Sequence, residues 1–305
     1  MGRVSFVFPG QGAQYPGMGR ELMECSSAAA EVFRRADELR PGTSETCFSG
    51  SEEALKRTDI TQPCLFTVEA AAAAALGEAG IQAHMAAGFS LGELAAIFYS
   101  SVVDFSTSFK LVCRRGELMQ AAAEQFDTAM AAVVKLTNEQ VEELCARFEG
   151  VYPVNYNCPG QVTVAMKREQ LAPFSAAVKE AKGRALPLKV SGGFHSPFMA
   201  EASVRFGEAL EAVECHAPAI EVYSNYTGLP YDGNVKELLT RQVCSPVRWE
   251  QIVRHMIAQG VDTFIEVGPG SVLQGLIRKI DPNVRVFGVS DRASLEKTIQ
   301  EVKQC

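Results

Sequence analysis

A chain of 305 residues with 47% apolar and 21% charged side chains has an ordinary globular balance, which excludes a disordered or fibrous polymer and allows one large domain or a main body with a smaller insert. The formal net charge of −7 excludes a bulk electrostatic pull on nucleic acid or on anionic membrane. Nine cysteines, an odd number without a Cys-x-x-Cys pair, exclude a fully paired disulfide framework and point to a reducing cytosol.

The chain enters a strand over 4–8 without a preceding signal segment, and its longest apolar run, 70–77, is too short to cross a bilayer. A cytoplasmic protein away from the membrane is therefore expected. Helices follow at 18–39 and 62–76, the second with Pro63 near its first turn. A short buried strand at 85–87 leads to helices at 91–99 and 105–123. The rhythm then changes to strands at 130–134, 152–155, 162–166 and 185–190, with helices at 138–148 and 168–182. That β-α-β-β-α-β order predicts a ferredoxin-like unit. Beyond it come helix 197–212, strand 221–224, helices 235–243 and 249–259, strand 263–267, a helix ending at 279 and strand 284–289. The predicted fold is α/β. A large α/β-hydrolase-like domain with a mainly parallel sheet, residues 1–126 and 192–305, carries an inserted ferredoxin-like subdomain, residues 127–191.

Gly88-Phe89-Ser90-Leu91-Gly92 lies between an apolar strand and a helix, the context in which a sharp turn lifts a serine hydroxyl to the edge of a sheet as a nucleophile. The helix that follows aims its amino-terminal N–H groups at the same spot. A serine nucleophile needs a base, and the candidates are His84, His195, His216 and His255. His195 stands out because Gly192-Gly193-Phe194-His195-Ser196-Pro197 sets it at a glycine-permitted turn before a proline-opened helix. Its orienting acceptor stays open: Asp127 and Glu180 lie between serine and histidine but in or beside the insert, and a backbone carbonyl fits equally well. Gln11, in the turn after the first strand, reaches the same carboxyl edge of a parallel sheet, where its amide suits an oxyanion. The competing phosphate-loop reading of Gly10-Gln11-Gly12 lacks the third glycine of a dinucleotide fingerprint and the Gly-Lys-Ser/Thr ending of a P-loop. Arg115 sits in a largely apolar helix, where an inward guanidinium calls for a carboxylate or a phosphate, its planar fork suiting a carboxylate, in a substrate or in a structural salt bridge.

Taken together, Phe8-Pro9-Gly10-Gln11-Gly12, Thr61-Gln62-Pro63, the Ser90 pentapeptide with Glu93, Arg115-Gly116 with Met119, the 155–161 segment Asn-Tyr-Asn-Cys-Pro-Gly-Gln, Phe194-His195-Ser196, Pro246-Val247-Arg248-Trp249 and Glu266-Val267-Gly268-Pro269-Gly270 resemble the malonyl-CoA:acyl-carrier-protein transacylases of fatty-acid synthesis and the acyltransferase domains of polyketide synthases. The resemblance spans nearly the whole chain. It implies that Ser90 takes the malonyl group, that His195 is the base, oriented by the main-chain carbonyl of Gln242, and that Gln11 and the Leu91 N–H form the oxyanion hole. It further implies that Arg115 clamps the malonyl carboxylate with Gln62 nearby, and that Phe194 favours malonyl over methylmalonyl. The family commonly has histidine where this chain has Phe89, which implies altered packing or loading rate with the chemistry intact. Malonyl-CoA and acyl carrier protein are the implied partners. No metal or cofactor is implied, and a monomer is the expectation. Lys182, Arg184, Lys189, Arg278 and Lys279 are candidate contacts for an acidic carrier. The competing functions are a free-standing polyketide acyltransferase, a serine esterase or thioesterase with a carboxylate-steered histidine, and a non-catalytic scaffold.

Overall fold

The computed structural model describes residues 2–190 and 192–303. Its strands are β1 (Arg3–Phe8), β2 (Met85–Gly88), β3 (Thr128–Val134), β4 (Val151–Cys158), β5 (Gln161–Lys167), β6 (Arg184–Pro187), β7 (Glu221–Val222), β8 (Val261–Val267) and β9 (Arg285–Val289). They form a five-stranded sheet of order β7-β2-β1-β8-β9 and a four-stranded sheet of order β4-β5-β3-β6. All pairs in the first are parallel and all in the second are antiparallel. This is the expected mixed architecture, a mostly parallel body with a ferredoxin-like unit. The far boundary expected for the insert, at 191, lies outside the described residues.

β1 occupies the centre of the parallel sheet, and Val4 to Phe8 are buried without a break. Such a run is what a parallel strand covered by helices on both faces requires. Apolar clusters lie on the two faces, one around Phe6, Phe8 and the helix Thr58–Glu78, the other around Val7, Phe264, Trp249 and Ile277. In the second sheet the period-2 alternation divides the labour. Ala129, Ala131 and Val133 of β3 pack with Val141, Phe174 and Val178 from the helices Asn138–Cys145 and Leu171–Glu180, while Met130 joins the core of the large body.

The helix expected over 18–39 is two, Arg20–Cys25 and Ser27–Leu39. Ser26 breaks it by taking an extended backbone and accepting from the Ala29 N–H as an N-cap. The next long helix, Thr58–Glu78, starts a turn before the expected 62, so Pro63 lies inside it. Proline cannot donate to the carbonyl four residues back. Here the Arg40 guanidinium donates to that Asp59 carbonyl at 2.9 Å, which offsets the lost bond. This is the one described helix long and apolar enough to cross a membrane, and 83% of its apolar window is buried inside the protein. Two helices lack a strong sequence signal. Thr43–Ser49 is short and largely polar, and Arg292–Lys303 buries only Leu295, Thr298 and Val302. The expected strand 221–224 pairs only over Glu221–Val222, because the chain turns at Ser224, whose carbonyl accepts from Gly228 N–H at 2.8 Å.

Candidate active site

Phe8 at the end of β1 pairs with Gly88 at the end of β2, so the turns that follow lie side by side at the carboxyl edge of the parallel sheet, where α/β folds place ligands. Ser90 has φ 56°, the left-handed region unusual for a residue with a side chain. A Cβ at Gly88 would overlap the Gly92 backbone, and one at Gly92 would overlap the Phe8 carbonyl. The pentapeptide therefore needs both glycines to bend sharply against β1.

His195 also has a positive φ, 59°. Its turn is closed by Ser196 Oγ, which donates to the Gly193 carbonyl at 2.5 Å and caps the helical turn Pro197–Met199. His195 Nε2 stands 2.7 Å from Ser90 Oγ, and His195 Nδ1 stands 3.0 Å from the Gln242 carbonyl oxygen. A carbonyl only accepts, so Nδ1 carries the proton and Nε2 is left to accept from the serine. Burial, followed by the nearby Arg115 cation, holds the imidazole down at about 4, so it is neutral at physiological pH. Asp127 is exposed and paired with Arg168, and Glu180 is exposed on its helix. Neither serves the histidine. His84 Nδ1 accepts from Val4 N–H, and His255 meets the Tyr223 hydroxyl; both bonds are structural.

Arg115 is fully buried. Its Nη1 donates to Gln62 Oε1 and its Nη2 to Gln242 Oε1, both at 2.9 Å, and Nη2 lies 3.4 Å from Ser90 Oγ. Desolvation lowers it to about 10 against the attraction of Glu93, so it remains a cation at neutral pH. Glu93 is itself fully buried and is pushed up to about 7 by desolvation, held back by hydrogen bonds from Tyr231, the Asn225 backbone and Gln242. Gln11, Gln62, Phe89, Ser90, Leu91, Phe194 and His195 line one small cavity of about 100 Å³. The Gln11 amide donates to Thr58 Oγ1 at 3.4 Å. The structure thus gathers Ser90, His195, Gln242, Arg115, Gln62, Gln11, Leu91 and Phe194 at one place.

Gln11, Phe89, Asn155, Leu188 and Val190 also line a second cavity of about 340 Å³ between the two sheets, which Lys189 borders. Of the candidate cations, Lys279 reaches Gln161 on the same wall, whereas Arg278 turns away to the Val286 carbonyl. Lys182 and Arg184 are exposed farther along the insert. Phe89 packs edge-on to Trp249 with ring centroids 5.7 Å apart.

Sequence reasoning missed Asn225. This fully buried residue accepts from the Ser90 N–H through Oδ1 at 2.7 Å and donates through Nδ2 to the Gly88 carbonyl at 2.6 Å. Its own N–H donates to Glu93 Oε1 at 3.1 Å, and the Tyr231 hydroxyl donates to the same oxygen. One asparagine therefore staples both sides of the strained turn. The available signal was a polar Ser-Asn pair one residue beyond the short strand β7, too common a pattern to single out.

Residues 5–303 match the family model described as the acyl transferase domain, and the overlap of nearly the whole chain makes it an acyltransferase of that fold. The malonyl CoA-acyl carrier protein transacylase of Bacillus subtilis is 38% identical over 313 residues, covering 100% of this chain and 98% of that protein. The crystal structure of the malonyl CoA-acyl carrier protein transacylase of Clostridium perfringens superposes with a TM-score of 0.96 at 38% identity, covering 99% of this chain and 98% of that one. A malonyl-transacylase solved in complex with its type II PKS acyl-carrier protein gives a TM-score of 0.94 at 34% identity, covering 98% of this chain and 99% of that one. The chain belongs to the malonyl CoA-acyl carrier protein transacylase family.

Proposed function

We propose that this protein transfers the malonyl group of malonyl-CoA to the phosphopantetheine thiol of acyl carrier protein by a ping-pong route through a malonyl-Ser90 ester. Ser90 Oγ attacks the thioester carbonyl while His195 Nε2 takes its proton. The resulting oxyanion is met by the Gln11 amide and the Leu91 N–H, and the developing imidazolium is balanced by that oxyanion and by the Gln242 carbonyl. Collapse breaks the carbon–sulfur bond, and His195 returns the proton to the departing thiol of CoA. The carrier thiol then gives its proton to His195 and attacks the ester; collapse breaks the bond from the acyl carbon to Ser90 Oγ and His195 returns the proton to that oxygen, so the same donors serve both halves.

Arg115 selects the anionic acyl group through its carboxylate and fixes its orientation, with Gln62 holding the guanidinium plane. Phe194 leaves little room for an α-methyl branch, which favours malonyl over methylmalonyl. Malonyl-CoA and acyl carrier protein are the partners. We place the enzyme in the cytoplasm, a reading supported by eight described cysteines that are all free. Residues 127–191 are taken as the insert, between segments 1–126 and 192–305 of the catalytic body.

The observation that carries this reading is the unbroken chain from the Gln242 carbonyl through His195 and Ser90 to a buried, charged Arg115. Rapid-quench acylation with malonyl-, methylmalonyl- and acetyl-CoA tests it. Malonyl-CoA is expected to react fastest by at least about tenfold, and equal rates with acetyl-CoA would remove Arg115 from its role.

A further inference from the structure

Gln242 does more than offer its main-chain carbonyl to His195. Its side chain is fully buried at the end of the helix Val235–Gln242, and both ends of the amide are engaged. Oε1 accepts from Arg115 Nη2 at 2.9 Å, while Nε2 donates to the Ser90 carbonyl oxygen at 2.6 Å. The partners fix which end is which, because a guanidinium only donates and a carbonyl only accepts.

The Ser90 carbonyl and the Leu91 N–H belong to one planar trans peptide and point in opposite directions. A donor that grips the carbonyl from behind therefore sets where the N–H aims. Polarisation runs along the same line. The Arg115 cation draws electron density from Oε1, which makes Nε2–H a stronger donor. That donor draws density from the Ser90 carbonyl, which makes the Leu91 N–H a stronger donor in turn. A second bond to the same carbonyl, from Glu93 N–H at 3.2 Å, is longer and comes from the helix itself.

We propose that the Gln242 side chain is a positioning residue that relays the Arg115 charge through two hydrogen-bonded amides to the Leu91 N–H, strengthening the oxyanion hole. This rests on the proposed roles of Ser90 and Leu91 and adds to them a cause for the strength of the hole. It also gives Arg115 a second task, since the cation that holds the malonyl carboxylate supports the oxyanion from the far side of the peptide.

The test is the infrared carbonyl stretch of the malonyl-Ser90 ester, formed with malonyl-CoA labelled at the thioester carbonyl carbon, combined with rapid-quench acylation kinetics. Gln242→Met retains the chain length and the backbone carbonyl but removes the side-chain bonds to Arg115, to the Ser90 carbonyl and to Glu93. It is expected to move the stretch to higher wavenumber and to lower the acylation kcat about tenfold or more, with a smaller rise in KM. Gln242→Glu retains the acceptor for Arg115 and loses the donor to Ser90, so it is expected to shift the stretch in the same direction. It also covers the case in which the methionine variant fails to fold. A folded variant of either kind with an unshifted stretch overturns the relay, because a purely structural role predicts lower stability with an unaltered ester carbonyl. Absence of the ester on the unmodified enzyme would instead count against the proposed function.

Discussion

The two sheets contribute to the site in different ways. The side chains hydrogen-bonded to Ser90 come from the parallel body: Asn225 from the segment after β7, Arg115 from a flanking helix, and His195 and Gln242 from the part of the chain after the insert, while Gln11, in the turn after β1, lines the same cavity. The antiparallel unit supplies walls. Met130, Asn155, Leu188 and Val190 line the cavities. Parallel strands bring their carboxyl ends and helix amino termini to one edge, where N–H donors converge. An antiparallel sheet offers a flat, period-2 surface that shapes space. Mutations should accordingly split into those that stop the chemistry and those that reshape what enters.

The largest effect belongs to the proposed base. His195→Ala should lower the acylation rate constant by about 10³-fold or more, measured by rapid-quench labelling, with the fold retained. Next, Arg115→Ala should lower kcat/KM for malonyl-CoA by about 10²-fold while activity with acetyl-CoA relative to malonyl-CoA rises; an equal loss with both would remove the carboxylate clamp.

Asn225→Ala sharpens the comparison from within the parallel body. It leaves the Ser90 N–H and the Gly88 carbonyl without their side-chain partner, at a cost of about 1–3 kcal/mol per buried group. A lower melting temperature and an acylation rate reduced about tenfold are expected. The smallest effect should come from the insert. Met130→Ala enlarges the cavity and should change kcat for malonyl transfer by no more than about threefold while admitting bulkier acyl groups, as read from a panel of acyl-CoA thioesters. A large loss of kcat there would break the division between the sheets.

The pH dependence adds an independent check. Because burial and Arg115 lower the His195 pKa to about 4, the base is already deprotonated at neutral pH. Acylation by malonyl-CoA should be flat between pH 6 and 8 and fall only as the imidazole protonates near pH 4. The stability contribution has a definite sign. The unfolded histidine takes up a proton from about pH 6.5, so the native state loses stability as pH falls from there towards 4. A rate that already halves near pH 6.5 would contradict the buried, cation-flanked setting of this histidine.

Much of this was legible in the sequence because the signals were local. Buried strands ending in glycine turns, the Ser90 pentapeptide and the glycine-flanked His195 each carry their geometry within a few residues. The early start at Thr58 was hidden because a rescued proline depends on a distant partner, Arg40, whereas the helix break at Ser26 rests on a local cap to Ala29 N–H that an uninterrupted helical pattern masked. Asn225 and the side chain of Gln242 were hidden for a deeper reason. Their partners lie 135 and 152 residues away, and a buried amide has no period or spacing to announce it. The acceptor on His195 was left between a carboxylate and a carbonyl until the resemblance pointed to Gln242; the carbonyl at 3.0 Å is what the folded chain provides.

The most direct measurement is mass spectrometry of the intact protein after brief exposure to malonyl-CoA, followed by peptide mapping and then by addition of the thiol-bearing carrier protein. A single malonyl increment confined to Ser90 is expected, absent from Ser90→Ala, and discharged on adding the carrier at the rate malonyl-carrier appears. An increment on another residue, or transfer to the carrier that proceeds undiminished in Ser90→Ala, would contradict the malonyl-Ser90 route.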